Sequence, residues 1–257
     1  MRRISIFLAT VVAILVLGAP AQAITFGALD TTNRFPHVGA VIAELEPGTK
    51  DVLCSGTLMS ATVFLTAGHC TAFLESIDVQ DVWVTFDPSF DPASPLIHGT
   101  YHTHPLFASG GQSNTYDLAV IVLDSPVGAI TPARLPTLNQ LGGMSLKDQR
   151  FTAVGYGTVR NDKRRAGQTF SFDGMRRYAD QSFRSLTKAW LNLSMNPSTG
   201  SGGTCYGDSG GPHFLAGTNI VVAITVTGDR FCRASDVTYR LDTPWSREFL
   251  GQYVALP

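Results

Sequence analysis

Apolar residues fall along this chain in short runs, each about the length of a strand and each closed by Gly, Pro, Asn or Asp. Such runs occupy residues 37–43, 52–58, 62–66, 82–86, 151–156, 189–193, 212–215 and 220–227. Runs of this kind between turn signals predict strands. In the segment 117–123 every position after Asp117 is apolar, so this strand is expected to be buried on both faces. Many short strands without intervening helical periods predict a barrel or a sandwich rather than strand–helix repeats. One helix is expected, at the C-terminus. Thr243 can cap it, Pro244 fits its first position, and Trp245, Phe249 and Tyr253 recur at a helical interval. The stretch 127–143 is rich in Pro, Gly and Thr and reads as a segment crossing between two halves.

The first residues follow another pattern. Arg2 and Arg3 precede an apolar run over 4–17, and Ala21-Gln22-Ala23 supplies small residues for cleavage. Residues 1–23 therefore read as a signal peptide, and the product as a secreted, extracellular protein. The run is short for a membrane span and no stop-transfer flank follows, so no stable membrane association is expected after its removal.

Composition adds bounds. The 257 residues carry only 15% charged side chains and include 25 glycines, which suits a loop-rich all-β protein. The length allows one or two domains. A net charge of -1 lacks the electrostatic footprint of a nucleic-acid partner. The four cysteines are an even number in an exported chain, consistent with two disulfides, for which three pairings exist. Their spacing is wrong for a zinc site; no metal or other cofactor is expected.

Three short motifs carry chemistry. His69 lies in Leu65-Thr66-Ala67-Gly68-His69-Cys70. Asp117 heads the buried apolar run. Ser209 lies in Gly207-Asp208-Ser209-Gly210-Gly211-Pro212. A serine hydroxyl is a weak nucleophile and needs a base within hydrogen-bond reach. An imidazole can take and return a proton near neutral pH. A carboxylate on its other nitrogen fixes the tautomer and stabilises the imidazolium. With its three motifs in the order His, Asp, Ser, the chain resembles the trypsin-like (chymotrypsin-fold) serine proteases.

The resemblance implies an all-β fold of two packed six-stranded antiparallel Greek-key barrels with a short C-terminal helix. The first barrel would take 24–135 and the second 136–257, with His69 and Asp117 in the first and Ser209 in the second. It implies disulfides Cys54–Cys70 and Cys205–Cys232, and an oxyanion hole from the amides of Gly207 and Ser209. It also implies an ion pair between Asp208 and the amine of Ile24. Ile24 directly follows Ala23, so signal cleavage alone would free that amine. Phe26 departs from the glycine usual there. The base of the substrate pocket falls on Gly203, which brings no carboxylate for Arg or Lys. Thr225-Val226-Thr227 would form one wall, with Thr225 able to hydrogen-bond near Asp117. Val237 and Thr238 would approach from the other wall. Narrowing by Thr227 favours small or medium apolar residues over Arg and Lys. Asp229 and Asp236 are the acids nearest in sequence that would change this.

The function expected is thus a secreted serine endopeptidase, monomeric, with protein or peptide substrates. A non-catalytic binding protein on the same fold would typically lack a triad member, and none is missing. A serine esterase would carry its nucleophile in a Gly-x-Ser-x-Gly elbow. Residues 207–211 fit those letters, but His and Asp precede the serine, which is the wrong order. The basic stretch Arg160, Lys163, Arg164, Arg165, Arg176 and Arg177 reads as a solvated loop or, less simply, a partner surface.

Overall fold

The computed structural model describes residues 24–163 and 167–257; the leader read in 1–23 lies outside them, as do Arg164 and Arg165. Strands β1 (Ala28–Leu29), β2 (Val38–Glu46), β3 (Thr49–Leu58) and β4 (Val63–Thr66) come first. Helix α1 (Gly68–Ser76), β5 (Val82–Thr85), β6 (Ile97–Thr103) and β7 (Ala119–Leu123) follow. Then come β8 (Arg150–Gly155), the hairpin β9 (Val159–Lys163) and β10 (Gly167–Ser171), β11 (Arg177–Leu186) and β12 (Trp190–Ser194). The chain ends with β13 (Pro212–Leu215), β14 (Val221–Gly228), β15 (Ser235–Arg240) and helix α2 (Pro244–Leu250).

The strands close two antiparallel barrels of six strands each. The first runs β2-β3-β4-β7-β6-β5 and returns to β2. The second runs β8-β11-β12-β15-β14-β13 and returns to β8. In each, three successive barrel strands lie side by side and the fourth returns beside the first, which is the Greek-key arrangement. The two halves share this order although the chain has no sequence repeat. The short β1 does not join the first barrel; Ala28 and Leu29 pair with Tyr178 and Arg177 on β11 of the second.

Alternation explains the interior. In β2 as far as Ala43, and in β7, nearly every side chain is buried, because one face fills the barrel and the other meets neighbouring structure. The larger core joins Val41, Phe64, Leu65, Val120 and Ile121 with Phe214, Ile224, Leu241 and Phe249, so it spans both barrels and the base of α2. A second core of Leu141, Phe151, Leu191, Leu193 and Val222 fills the second barrel. Helix α2 starts as its sequence predicts. The Thr243 hydroxyl accepts the amide of Ser246, and Pro244 stands at the first position.

Both disulfides follow the pairing that the resemblance implied, Cys54–Cys70 and Cys205–Cys232. The basic stretch does not form one surface. Arg176 is fully buried against Asp30, and Arg177 is paired with Asp173.

Candidate active site

Antiparallel pairing of β4 and β7 brings the first two functional side chains together. Thr66 ends β4 opposite Ala119, which begins β7. The chain leaving β4 at His69 therefore runs beside the chain entering β7 at Asp117. His69 Nδ1 lies 3.0 Å from Asp117 Oδ2 and 3.2 Å from Oδ1, and the His69 amide donates to Oδ1 at 2.9 Å. The carboxylate side chain is 6% exposed and the imidazole 34%, so a buried acid orients a base that still reaches the cleft. Pairing Nδ1 with the carboxylate leaves Nε2 facing away, free to act on a proton.

Ser209 comes from the other barrel, in the loop ahead of β13. It is half-buried, and no hydrogen bond joins its Oγ to His69 Nε2 in this structure. The loop is held from behind. The Ser55 amide on β3 donates to the Ser209 carbonyl at 2.8 Å, the Gly210 amide to Thr225 O, and the Thr225 amide to Gly211 O. The amides of Gly207 and Ser209 have no acceptor among the described residues, as suits donors that await an oxyanion. Gly207 has φ +94°, a backbone that favours glycine, and a Cβ there would meet Gly157 Cα at 3.1 Å.

Asp208 is fully buried and turned away from the cleft. Its Oδ1 accepts the Gly157 amide and its Oδ2 the Cys205 amide, each at 2.8 Å. Burial pushes its pKa up to about 7, against the two amides; the charge on Asp236 adds to the rise. The expected ion pair with Ile24 is not formed here. With Ile24 in peptide linkage to Ala23, it has no ammonium to offer. Ile24 is nonetheless buried, and Thr25 forms an antiparallel bridge to Gly203, whose amide donates to Thr25 O at 2.9 Å.

A cavity of about 380 Å³ opens beside Ser209, lined by Thr204, Tyr206, Thr225, Val226, Thr227, Gly228, Asp229, Arg230 and Cys232. Thr225 and Thr227 line it as expected. Gly203 does not: a Cβ there would stand 2.2 Å from Met195 and 2.6 Å from Gln181 Nε2, so this position faces packed side chains, and Thr204 meets the cavity instead. Thr225 Oγ1 bonds His213 Nε2 at 3.0 Å rather than approaching Asp117. Thr238 turns into the barrel, donating to Leu191 O, and neither it nor Val237 lines the cavity.

Cys54, His69 and Cys70 bring ligand atoms within 4.8 Å of one another, but both sulfurs are committed to the disulfide and offer no thiolate. Two positioning groups escaped sequence reasoning. One is Ser55, whose Oγ accepts the Tyr156 amide at 2.9 Å and donates to Gly207 O at 3.0 Å. The other is Gly157, on the loop after β8, whose amide holds Asp208. Neither lies in a motif that announces it.

Comparison with known proteins adds three findings. Residues 24–246 match the family model described as Trypsin. The chain is 26% identical over 236 residues to "Trypsin, alkaline B" of Manduca sexta, covering 84% of this chain and 85% of that protein. Its fold superposes on HL collagenase with a TM-score of 0.67 at 19% identity, covering 88% of this chain and 97% of that one.

Proposed function

Since this chain belongs to the trypsin family and is a serine endopeptidase, we propose that it cleaves peptide bonds through an acyl-enzyme on Ser209. His69 takes the hydroxyl proton through Nε2 and returns it to the leaving amine, while Asp117 holds Nδ1–H and steadies the imidazolium. The amides of Gly207 and Ser209 receive the oxyanion. The observation that carries this reading is the buried Asp117 carboxylate gripping His69 at Nδ1 in the cleft that holds Ser209.

Asp208 completes the site once the chain is cut. Its buried carboxyl sits on two amides and forms no ion pair among the described residues, and the Ile24 ammonium released after Ala23 would supply one. The substrate side chain ahead of the scissile bond enters the cavity beside Ser209. Asp229 does line the cavity, but its carboxylate is held by four backbone amides with Arg230 beside it, so the enzyme is not confined to Arg and Lys. The protease acts as a monomer, since one chain supplies every group of the cleft. Two disulfides support an extracellular setting.

One experiment tests the set. Chain starting at Ile24 and chain retaining residues 1–23 are each treated with a serine-directed phosphonylating reagent and assayed on a peptide library. The Ile24 form should be labelled at Ser209 and active, and Ser209→Ala should abolish both. Activity surviving in Ser209→Ala overturns the nucleophile; equal activity in the two forms overturns the role of Ile24.

A further inference from the structure

A separate cavity, of about 560 Å³, shares the β14–β15 turn with the one beside Ser209; Asp229 lines both. Three parts of the second half of the chain wall it. Arg160 stands on β9, Arg184 on β11, and Arg233 on the turn itself. Arg160 is buried, and its Nη1 donates to Phe231 O at 2.7 Å, which ties β9 to the turn. Arg184 and Arg233 are exposed, and neither guanidinium forms an ion pair or hydrogen bond among the described residues.

The rest of the polar lining has donors to give. Asn196 Oδ1 accepts the Ser198 amide at 3.0 Å, which leaves the Nδ2 hydrogens for the cavity. Ser194 Oγ accepts the Asn196 amide at 3.3 Å and keeps its own proton to donate. Asp229 is the one acid in the lining. Its two oxygens are already met by the amides of Phe231, Arg233, Ala234 and Ser235. Three guanidinium side chains and two further donors thus border a space whose carboxylate is committed to the backbone. Such a lining suits oxyanions, since a guanidinium grips phosphate or sulfate through two parallel bonds. The volume is that of a site for a whole small molecule, so the ligand carries several such groups on a compact body. Phe231, 40% exposed, offers that body an apolar side.

We propose that this cavity binds a compact ring bearing several phosphate or sulfate groups, and that its occupation strengthens substrate binding beside Ser209. The first part stands on the lining alone. The second follows from the shared turn. Arg233 takes the ligand, while Gly228, Asp229 and Arg230 border the substrate cavity, and Cys232 is bonded to Cys205, four residues before Ser209. A ligand that joins Arg184 to Arg233 fixes the turn to β11, so less order has to be imposed when a peptide binds. This second part rests on the reading that the cavity beside Ser209 takes the substrate.

The probe is inositol hexakisphosphate, a cyclohexane ring with a phosphate on every carbon. Ser209→Ala protein is titrated with it by calorimetry, and with inorganic phosphate at the same ionic strength. The ring compound should bind at one site, at least about thirtyfold more tightly than inorganic phosphate. Arg184→Gln combined with Arg233→Gln should weaken it by about thirtyfold or more, and Arg184→Lys, which keeps the charge and loses the fork, by less. With wild-type enzyme, a saturating amount should lower KM for a peptide cleaved after Leu by about threefold with kcat little changed. The double variant should keep the basal KM and lose this response. Affinity retained in the double variant overturns the site, and equal affinity for inorganic phosphate overturns the ring-borne ligand. Binding that leaves KM unchanged overturns the coupling. Absence of hydrolysis by the wild-type enzyme overturns the protease reading, while titration of the Ser209→Ala protein still decides the site.

Discussion

Ser55 belongs to the first barrel by position and to the second by its bonds. Its amide holds the Ser209 carbonyl, and its hydroxyl bridges the Tyr156 amide and the Gly207 carbonyl. The loop that carries both the nucleophile and the oxyanion donors is therefore pinned at two peptides from across the cleft. Ser55→Ala keeps the backbone bond and leaves a buried donor and a buried acceptor unpaired. The expected loss is about 1–2 kcal/mol, felt chiefly in the transition state, where donor placement matters most. Turnover at saturating substrate should fall by about tenfold with KM within a factor of about two. A kcat equal to wild type would show that the loop holds itself. Cys54-Ser55-Gly56 does not advertise this role, because its partner Gly207 lies 152 residues away. His69, Asp117 and Ser209 were legible for the opposite reason: their chemistry fixes the neighbouring residues, so each sits in a recognisable string.

At the scale of elements, the turn between β14 and β15 shows how one side chain organises a wall. Asp229 Oδ1 accepts the amide of Phe231, and Oδ2 accepts those of Arg233, Ala234 and Ser235. Burial works against the charge, but these amides outweigh it and hold the carboxyl below its usual range. Because the folded pKa lies below the unfolded one, the stabilisation is complete above the unfolded value, about 4, and is lost as pH falls through the folded value. Asp229→Asn should therefore melt below wild type at pH 7, and the gap between their Tm values should close on acidification towards pH 3. A gap independent of pH would mean that shape alone matters here. The strands that escaped the hydrophobic pattern have a shared cause. In β15 the inward side chains are Asp236, Thr238 and Arg240, all buried, while Val237 faces the other way. In β6 the buried positions are Gly99 and Tyr101, between two histidines. Alternation is present in both, but its inward phase is polar or small, so apolarity does not reveal it. Helix α1 hides similarly: Ala67 precedes it with no side-chain cap.

At the scale of the whole molecule, Arg176 is the junction. Fully buried, it donates to Asp30 Oδ2, Asn33 Oδ1, the carbonyls of Val38 and Phe86, and the Tyr156 hydroxyl. These partners belong to the N-terminal segment and to both barrels. Arg176→Met should destabilise by about 3–5 kcal/mol, because Asp30 is left buried without its cation. Adding Asp30→Leu should recover much of that loss, since an apolar pair of similar volume avoids the unpaired charge. Urea unfolding checks both, and a single mutant within about 0.5 kcal/mol of wild type would remove Arg176 from this role.

The bridge from Thr25 to Gly203 and the pairing of β1 with β11 also carry a consequence for timing. A chain is synthesised from its N-terminal end. The segment starting at Ile24 emerges early, but the surfaces that receive it emerge only when most of the chain has followed. Until then it has nowhere to dock, and closing so long a loop comes late in folding. The ordered cleft is thus delayed until the chain is nearly complete, and a fragment released early lacks both the nucleophile and the seat for its own first residues. An enzyme that can digest proteins thus completes its cleft only when nearly all of its chain is made.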